Sequence, residues 1–357
     1  MRVGRNSLLF RSGCLSKQET WLLPERRGDM MELGTLEETA HQILQDAPDS
    51  IVRFRLLRDV NKAPPDSNIL NIARQEMLSS RWVAELRNEQ KEDGGWGRFH
   101  SAMKTKGKVA TTEEAVERGL AVGLEASDPT FQAATQYLSR LLEGRIDFPD
   151  PPERNNRWET GKKLFAAATL ARICPTLRIL DETWGLWATI AEHTFASGGY
   201  DSEAEIRAHE MITGASVKDS YLVLNNRYQL ALLGSRAARL PKTVENALVD
   251  WVWHKSDGVG YLEIPLANPP SRYTAGMLDR LFTSLELLSQ FPSTPRLANS
   301  MIGWLWKQRN SEGLWDFGPR ASFSVYFPLS QSWRSVKQLQ HDWSTRVLVL
   351  LKRFYEL

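Results

Sequence analysis

A glycine-aromatic mark that returns at a near-constant interval constrains this chain more than any other feature. Its fullest form comprises Gln90, Gly94, Gly95 and Trp96, placed where a helical run stops. Glycine just past a helix end enters the left-handed region without a Cβ penalty and reverses the chain. The tryptophan beside it supplies a broad flat surface to close over the next element. The arrangement recurs with Gln308, Gly313 and Trp315, and in looser form around Gly144 and Phe148, Gly199 and Tyr200, and Gly258 and Tyr261. The aromatics fall at 96, 148, 200, 261 and 315, giving intervals of 52, 52, 61 and 54 residues. A period of this size describes an array of similar units, none large enough to bury a core alone.

Within each period the apolar residues follow helical spacing, and strand signals are weak throughout. Helices are predicted over 36–45, 49–60 and 67–90 (with a break near Ser79 and Ser80), then 111–125, 130–142, 159–173, 179–196, 218–234, 242–255, 273–290, 296–309 and 341–356. The links 126–128, 174–178, 235–241 and 291–295 are short, so the helices they join are antiparallel neighbours. The links 97–110, 149–158, 201–217, 256–272 and 316–340 are long, and each follows a glycine-aromatic mark. One helix of each pair, such as the alanine-rich run 164–173, is apolar on most faces and asks for burial on both sides. Pairing 33–46 with 341–356 closes six hairpins, which predicts an all-α (α/α)6 toroid of six inner and six outer helices. All long loops then lie on one rim, where function usually collects. The expected organisation is a disordered arm or mis-assigned start over 1–32, and one domain over 33–357.

Composition narrows the function. A net charge of +2 over 357 residues gives no electrostatic reason to bind nucleic acid. Two cysteines, Cys14 and Cys174, make neither a disulfide framework nor a Cys-rich metal site, which fits a reducing, cytoplasmic setting. No apolar run approaches the length of about 18 residues that would suggest a membrane span, which leaves peripheral membrane contact open.

The strings Gln90-x3-Gly94-x-Trp96 and Gln308-x4-Gly313-x-Trp315 resemble the QW motifs of the terpenoid cyclase and protein prenyltransferase α/α-toroid superfamily. The resemblance runs from about residue 33 to the C-terminus. It implies a toroid whose central apolar cavity holds an isoprenoid-like small molecule. It also implies that Gln90, Gly94, Trp96, Gln308, Gly313 and Trp315 are structural, the glutamine capping a helix end and the tryptophan stacking over it. The catalytic signatures of the family do not carry over. There is no Asp-x-Asp-Asp string, no Asp/Cys/His zinc set and no Asp-rich diphosphate box, so neither metal nor cofactor is expected.

What remains is a recurring slot at the rim. Trp158-Glu159, Arg272-Tyr273 and His341-Asp342-Trp343 occupy equivalent positions in their own repeats. Glu159, Asp342 and His341 are the candidate catalytic residues, because a carboxylate walled by indole has a raised pKa and can protonate a substrate. Trp158, Arg272, Tyr273 and Trp343 are the candidate rim, an aromatic collar suited to a cationic intermediate or an apolar ligand. Three readings follow: an acid-initiated cyclase without the usual motif, a non-catalytic toroid binding an apolar ligand or partner, and a carbohydrate-active barrel using Glu113 or Glu114 with Glu159 or Asp342.

Overall fold

The computed structural model describes residues 26–100, 109, 111–215, 217, 220–318 and 328–356, with side chains from Leu33 onward. Among these residues the chain is all-α, with fourteen α-helices and no strand. The helices are α1 (Arg26–Gln45), α2 (Ser50–Arg55), α3 (Asn68–Leu78), α4 (Arg81–Glu89), α5 (Thr112–Val122), α6 (Pro129–Leu142) and α7 (Trp158–Ile173). There follow α8 (Leu180–Thr194), α9 (Ser202–Thr213), α10 (Arg227–Gly234), α11 (Lys242–His254), α12 (Ala275–Leu288), α13 (Pro295–Lys307) and α14 (Val336–Glu356).

Local chemistry sets several of these boundaries. Thr111 caps α5 by accepting from the Glu114 amide at 3.1 Å, with Glu113 and Glu114 in the first turn where the helix dipole favours them. Gly123 ends that helix in the left-handed region at φ 101°. Ser80 divides α3 from α4, as expected, and Pro129 opens α6. Four expectations shift. Helix α1 begins at Arg26, ahead of 33, while residues 1–25 lie outside the described set. The run 49–60 is α-helical only to Arg55, and Leu56–Val60 continues as a π turn. That wider turn lets Asp59 reach both Arg55 and Arg58. The segment expected to be helical from 218 becomes α10 only at Arg227. Finally, the stretch read as a long loop over 201–217 contains α9, which Asp201 caps by accepting from Glu203 and Ala204.

Packing runs in two interleaved sets. Helix α5 lies on α7, α7 on α10, α10 on α12, α12 on α14, and α14 on α2 and its π turn. Arg55 returns the succession to α5 by donating to the Leu120 and Ala121 carbonyls. Helix α7 is buried continuously from Leu164 to Ala171, and α14 from His341 to Lys352. The sequence of α7 is apolar or small on most faces, whereas α14 buries His341, Asp342, Arg346 and Lys352 along with its apolar residues. Helices α6, α8 and α13 pack against members of this set, and α1 packs on α14.

The glycine-aromatic turns have a well-defined geometry. Gln90 Nε2 donates to the Gly94 and Thr130 carbonyls, each at 2.9 Å, fastening α4 to the start of α6. Trp96 is buried, and its indole N–H donates to the Leu86 carbonyl at 2.8 Å near the end of α4. Gly94 sits at φ 94°, and a Cβ there would collide with the Ala133 carbonyl, so both conformation and space require glycine. In the last repeat, Trp315 donates to Leu305 O at 2.7 Å in the same way. There, however, Arg309 takes the part of Gln90, donating to Gly313 O at 2.8 Å. Gln308 instead accepts from the Tyr273 hydroxyl at 3.0 Å. The two turns match residue for residue only when Arg309 is aligned with Gln90, one position beyond the glutamine that the string comparison picks.

Helix α9 carries a buried histidine. His209 has no exposed surface, neither ring nitrogen has a hydrogen-bond partner among the described residues, and the ring lies against Trp187 at 5.2 Å. Burial pulls its pKa down to about 4. The unfolded chain therefore takes up the proton first, and stability falls as pH drops through about 6.5 toward 4. The loss is about 2 kcal/mol by pH 5, at about 1.4 kcal/mol per pKa unit. Denaturant melts at pH 7 and pH 5 should show this loss in the parent and not in His209→Leu.

Candidate functional site

A cavity of about 480 Å³ takes its lining from α5, α7, α12, α14 and the α2 segment with its π turn. It draws on the C-terminal parts of α5, α7 and α12, the ends opposite those fed by the long loops. Its walls combine Leu120, Leu124, Leu287, Val349 and Leu350 with five arginines, Arg55, Arg58, Arg172, Arg346 and Arg353. Glu117, Glu125 and Glu286 are the carboxylates of the lining. The expected apolar interior is thus a mixed one with an excess of cationic groups.

Four of the arginines have structural partners. Arg55 and Arg58 donate to carbonyls at the C-terminus of α5, Arg58 to Gly123 O at 2.7 Å, where a cation offsets the helix dipole. Both also pair with Asp59; burial works against that carboxylate's charge, and the two guanidiniums overcome it, holding its pKa below the usual range. Arg172 pairs with Glu117 at 3.0 Å, although burial lowers its pKa. Arg346 bridges Asp279 at 2.6 Å and Glu286 at 2.9 Å. Arg353 differs from all four. Its side chain is exposed to the cavity, and it makes no hydrogen bond or ion pair among the described residues. Protein hems it in enough that burial lowers its pKa, with Arg55 and Arg172 repelling it and Glu286 and Asp59 attracting it.

The rim slot of the sequence reading does not converge on one opening. Glu159 points outward, with its side chain 74% exposed and paired with Lys162 at 2.7 Å. Trp158 is buried edge-on against Phe148. Tyr273 and Trp343 do meet, through Phe317 at 5.7 and 5.5 Å, while Arg272 is exposed beside them. Asp342 is fully buried and accepts from the Leu329 and Ser330 amides, the Ser330 hydroxyl and the Trp333 indole. Burial pushes its pKa up to about 6 against the pull of those donors. With its lone pairs occupied, it clamps the loop ahead of α14. His341 lies 3.5 Å from Asp46 with its pKa lowered by burial.

Sequence reasoning passed over the arginines, and one signal was available. Arg346 and Arg353 stand seven residues apart on α14, hence on one face, the face that carries Val349 and Leu350. A charged pair on a face bound for burial asks for a partner or a ligand.

No family model, curated protein or solved structure matches this chain. Among the described residues, no helix is long and apolar enough to cross a membrane, and no group of three or more histidine, cysteine, aspartate or glutamate side chains is placed to hold a metal ion.

Proposed function

We propose that the chain is an α/α toroid resembling the terpenoid cyclase and prenyltransferase type, which holds an amphipathic ligand with an isoprenoid-like chain and an anionic head. The succession α2, α5, α7, α10, α12 and α14, with contacts returning to the start, supports the inner ring. The hairpins around Trp96 and Trp315 support the motif resemblance, with arginine standing in for glutamine in the second. The head group follows from one observation, the guanidinium of Arg353 lining a half-open cavity with no ion-pair partner among the described residues. A cation partly shut off from water and without a counter-charge is unfavourable, and an anion in the same space relieves that cost. The leucines and valine of the lining suit an apolar tail.

Thermal melts with farnesyl diphosphate and with inorganic diphosphate provide the test. At a hundredfold excess over Kd, binding should add about 2.7 kcal/mol and raise the parent's Tm. Arg353→Leu should fold as the parent does, because no bond is lost, and should show no such rise. A parent that responds to neither compound, or a variant that responds as the parent does, would overturn the reading.

A further inference from the structure

At the other end of the same helices lies a hydrogen-bonded chain that the cavity does not use. Glu113, in the first turn of α5, pairs with Arg227 at 3.4 Å. The Tyr228 hydroxyl lies 3.1 Å from Glu113 Oε2 and 3.2 Å from His100 Nδ1. A phenol has one proton, and the carboxylate is the stronger acceptor, so Tyr228 donates to Glu113. The phenolic oxygen is then left to accept, and the contact at 3.2 Å requires His100 Nδ1 to carry the proton. The neutral imidazole is thereby the Nδ1–H tautomer, with a lone pair on Nε2.

The ring is also held in place. His100 stacks on Phe165 with centroids 5.0 Å apart and planes 20° apart, and Tyr228 meets it edge-on. Its side chain keeps 30% of its surface open. Tyr221, against Phe165, and Tyr261, against Tyr228, extend the aromatic surface, and Tyr261 is 52% exposed. Tyr261 also holds a left-handed backbone at φ 67°, which a side chain of that size rarely adopts and which marks functional positions elsewhere. Glu153 accepts from the Tyr221 hydroxyl at 3.0 Å and supplies a second carboxylate. The titratable and charged groups around His100 are Glu113, Arg227, Tyr228, Tyr221, Tyr261, Glu153 and Asp150, which accepts from the His100 amide at 3.1 Å.

We propose that His100 is a general base for a hydroxyl-bearing substrate, with Tyr228 and Glu113 as positioning residues that set its tautomer and orientation. The exposed ring of Tyr261 receives the apolar side of the substrate, and Glu153 accepts from its hydroxyls. In the step itself, a proton passes from the substrate hydroxyl, or from a water, to Nε2, and the oxygen gains the electron pair. A carboxylate behind a neutral donor then stabilises the imidazolium, as base–orienter pairs do. This inference is independent of the anion reading, since no residue of the arrangement lines the large cavity.

Nitrogen NMR on histidine-labelled protein tests the arrangement without any ligand. The parent should show His100 with Nδ1 protonated and Nε2 bare. Tyr228→Phe, which keeps the ring packing and deletes the hydroxyl, should move the population toward the Nε2–H form. Hydrolysis of p-nitrophenyl acetate is the activity probe. His100→Gln should lower the rate above background roughly a hundredfold, the scale of a positioned base, and Tyr228→Phe should lower kcat with KM little changed. An Nε2–H tautomer in the parent, or an ester hydrolysis rate that His100→Gln leaves unchanged, would overturn the proposal.

Discussion

Trp315→Ala and Trp96→Ala are each expected to lose about 3–5 kcal/mol of stability, the range for deleting a large aromatic from a core. Trp315 has no exposed surface and Trp96 only 1%, so both truncations leave voids rather than solvent. Each indole N–H also holds a carbonyl near the end of the preceding helix, Leu305 O for Trp315 and Leu86 O for Trp96. Truncation leaves that carbonyl without its donor, which adds to the cavity cost. Urea melts of the two variants provide the measurement. Changes under about 0.5 kcal/mol, the surface range, would mean that these turns do not lock the repeats together.

Arg346→Met should cost a similar amount by a different route. Arg346 lies almost wholly buried between Asp279, itself 1% exposed, and the half-buried Glu286. Its Nη2 group also contacts the Thr283 hydroxyl at 3.1 Å, so α12 and α14 are joined along more than one turn. Removing only the guanidinium leaves the buried Asp279 charged without its cation, which costs about 3–5 kcal/mol. The double variant Arg346→Met with Asp279→Leu removes the stranded charge and should recover most of that loss, since apolar groups of similar volume often replace a buried pair at little cost. Equal losses in the single and double variants would show that packing, and not the charge, carries the effect.

Legibility in the sequence varied with how local each determinant is. Caps at Thr111 and Ser80, the proline start of α6, and the buried faces of α7 and α14 all follow from neighbours within about four residues. Helix α9 was hidden because its polar, acidic start reads as loop, while its buried side, with Ala208 and His209, is short. The register of the last glycine-aromatic turn was hidden for a different reason. Gln308 and Arg309 both have long donor-bearing side chains, and only the path of the chain decides which one reaches Gly313 O.

The rim slot shows where local reasoning ends. Trp158-Glu159 and Asp342-Trp343 look alike as strings, yet Glu159 stands in solvent against Lys162 while Asp342 is filled by donors from Leu329, Ser330 and Trp333. The partners of Asp342 come from a loop whose return path no residue near Asp342 specifies.

Helix periodicity and turn chemistry act over a few residues, so the all-α class, the repeat period, most helix boundaries and the two buried tryptophans are written in the chain itself. Tertiary structure alone decided what the interior offers. It brought Arg172 from α7, Arg346 and Arg353 from α14, and Arg55 and Arg58 from the π-turn segment to one cavity. It joined His100, Glu113 and Tyr228, separated by 13 and 115 residues along the chain, into one hydrogen-bonded line. The physical reason is that a side chain's charge state and reach depend on whatever surrounds it in space. Those surroundings come from helices more than a hundred residues apart in sequence.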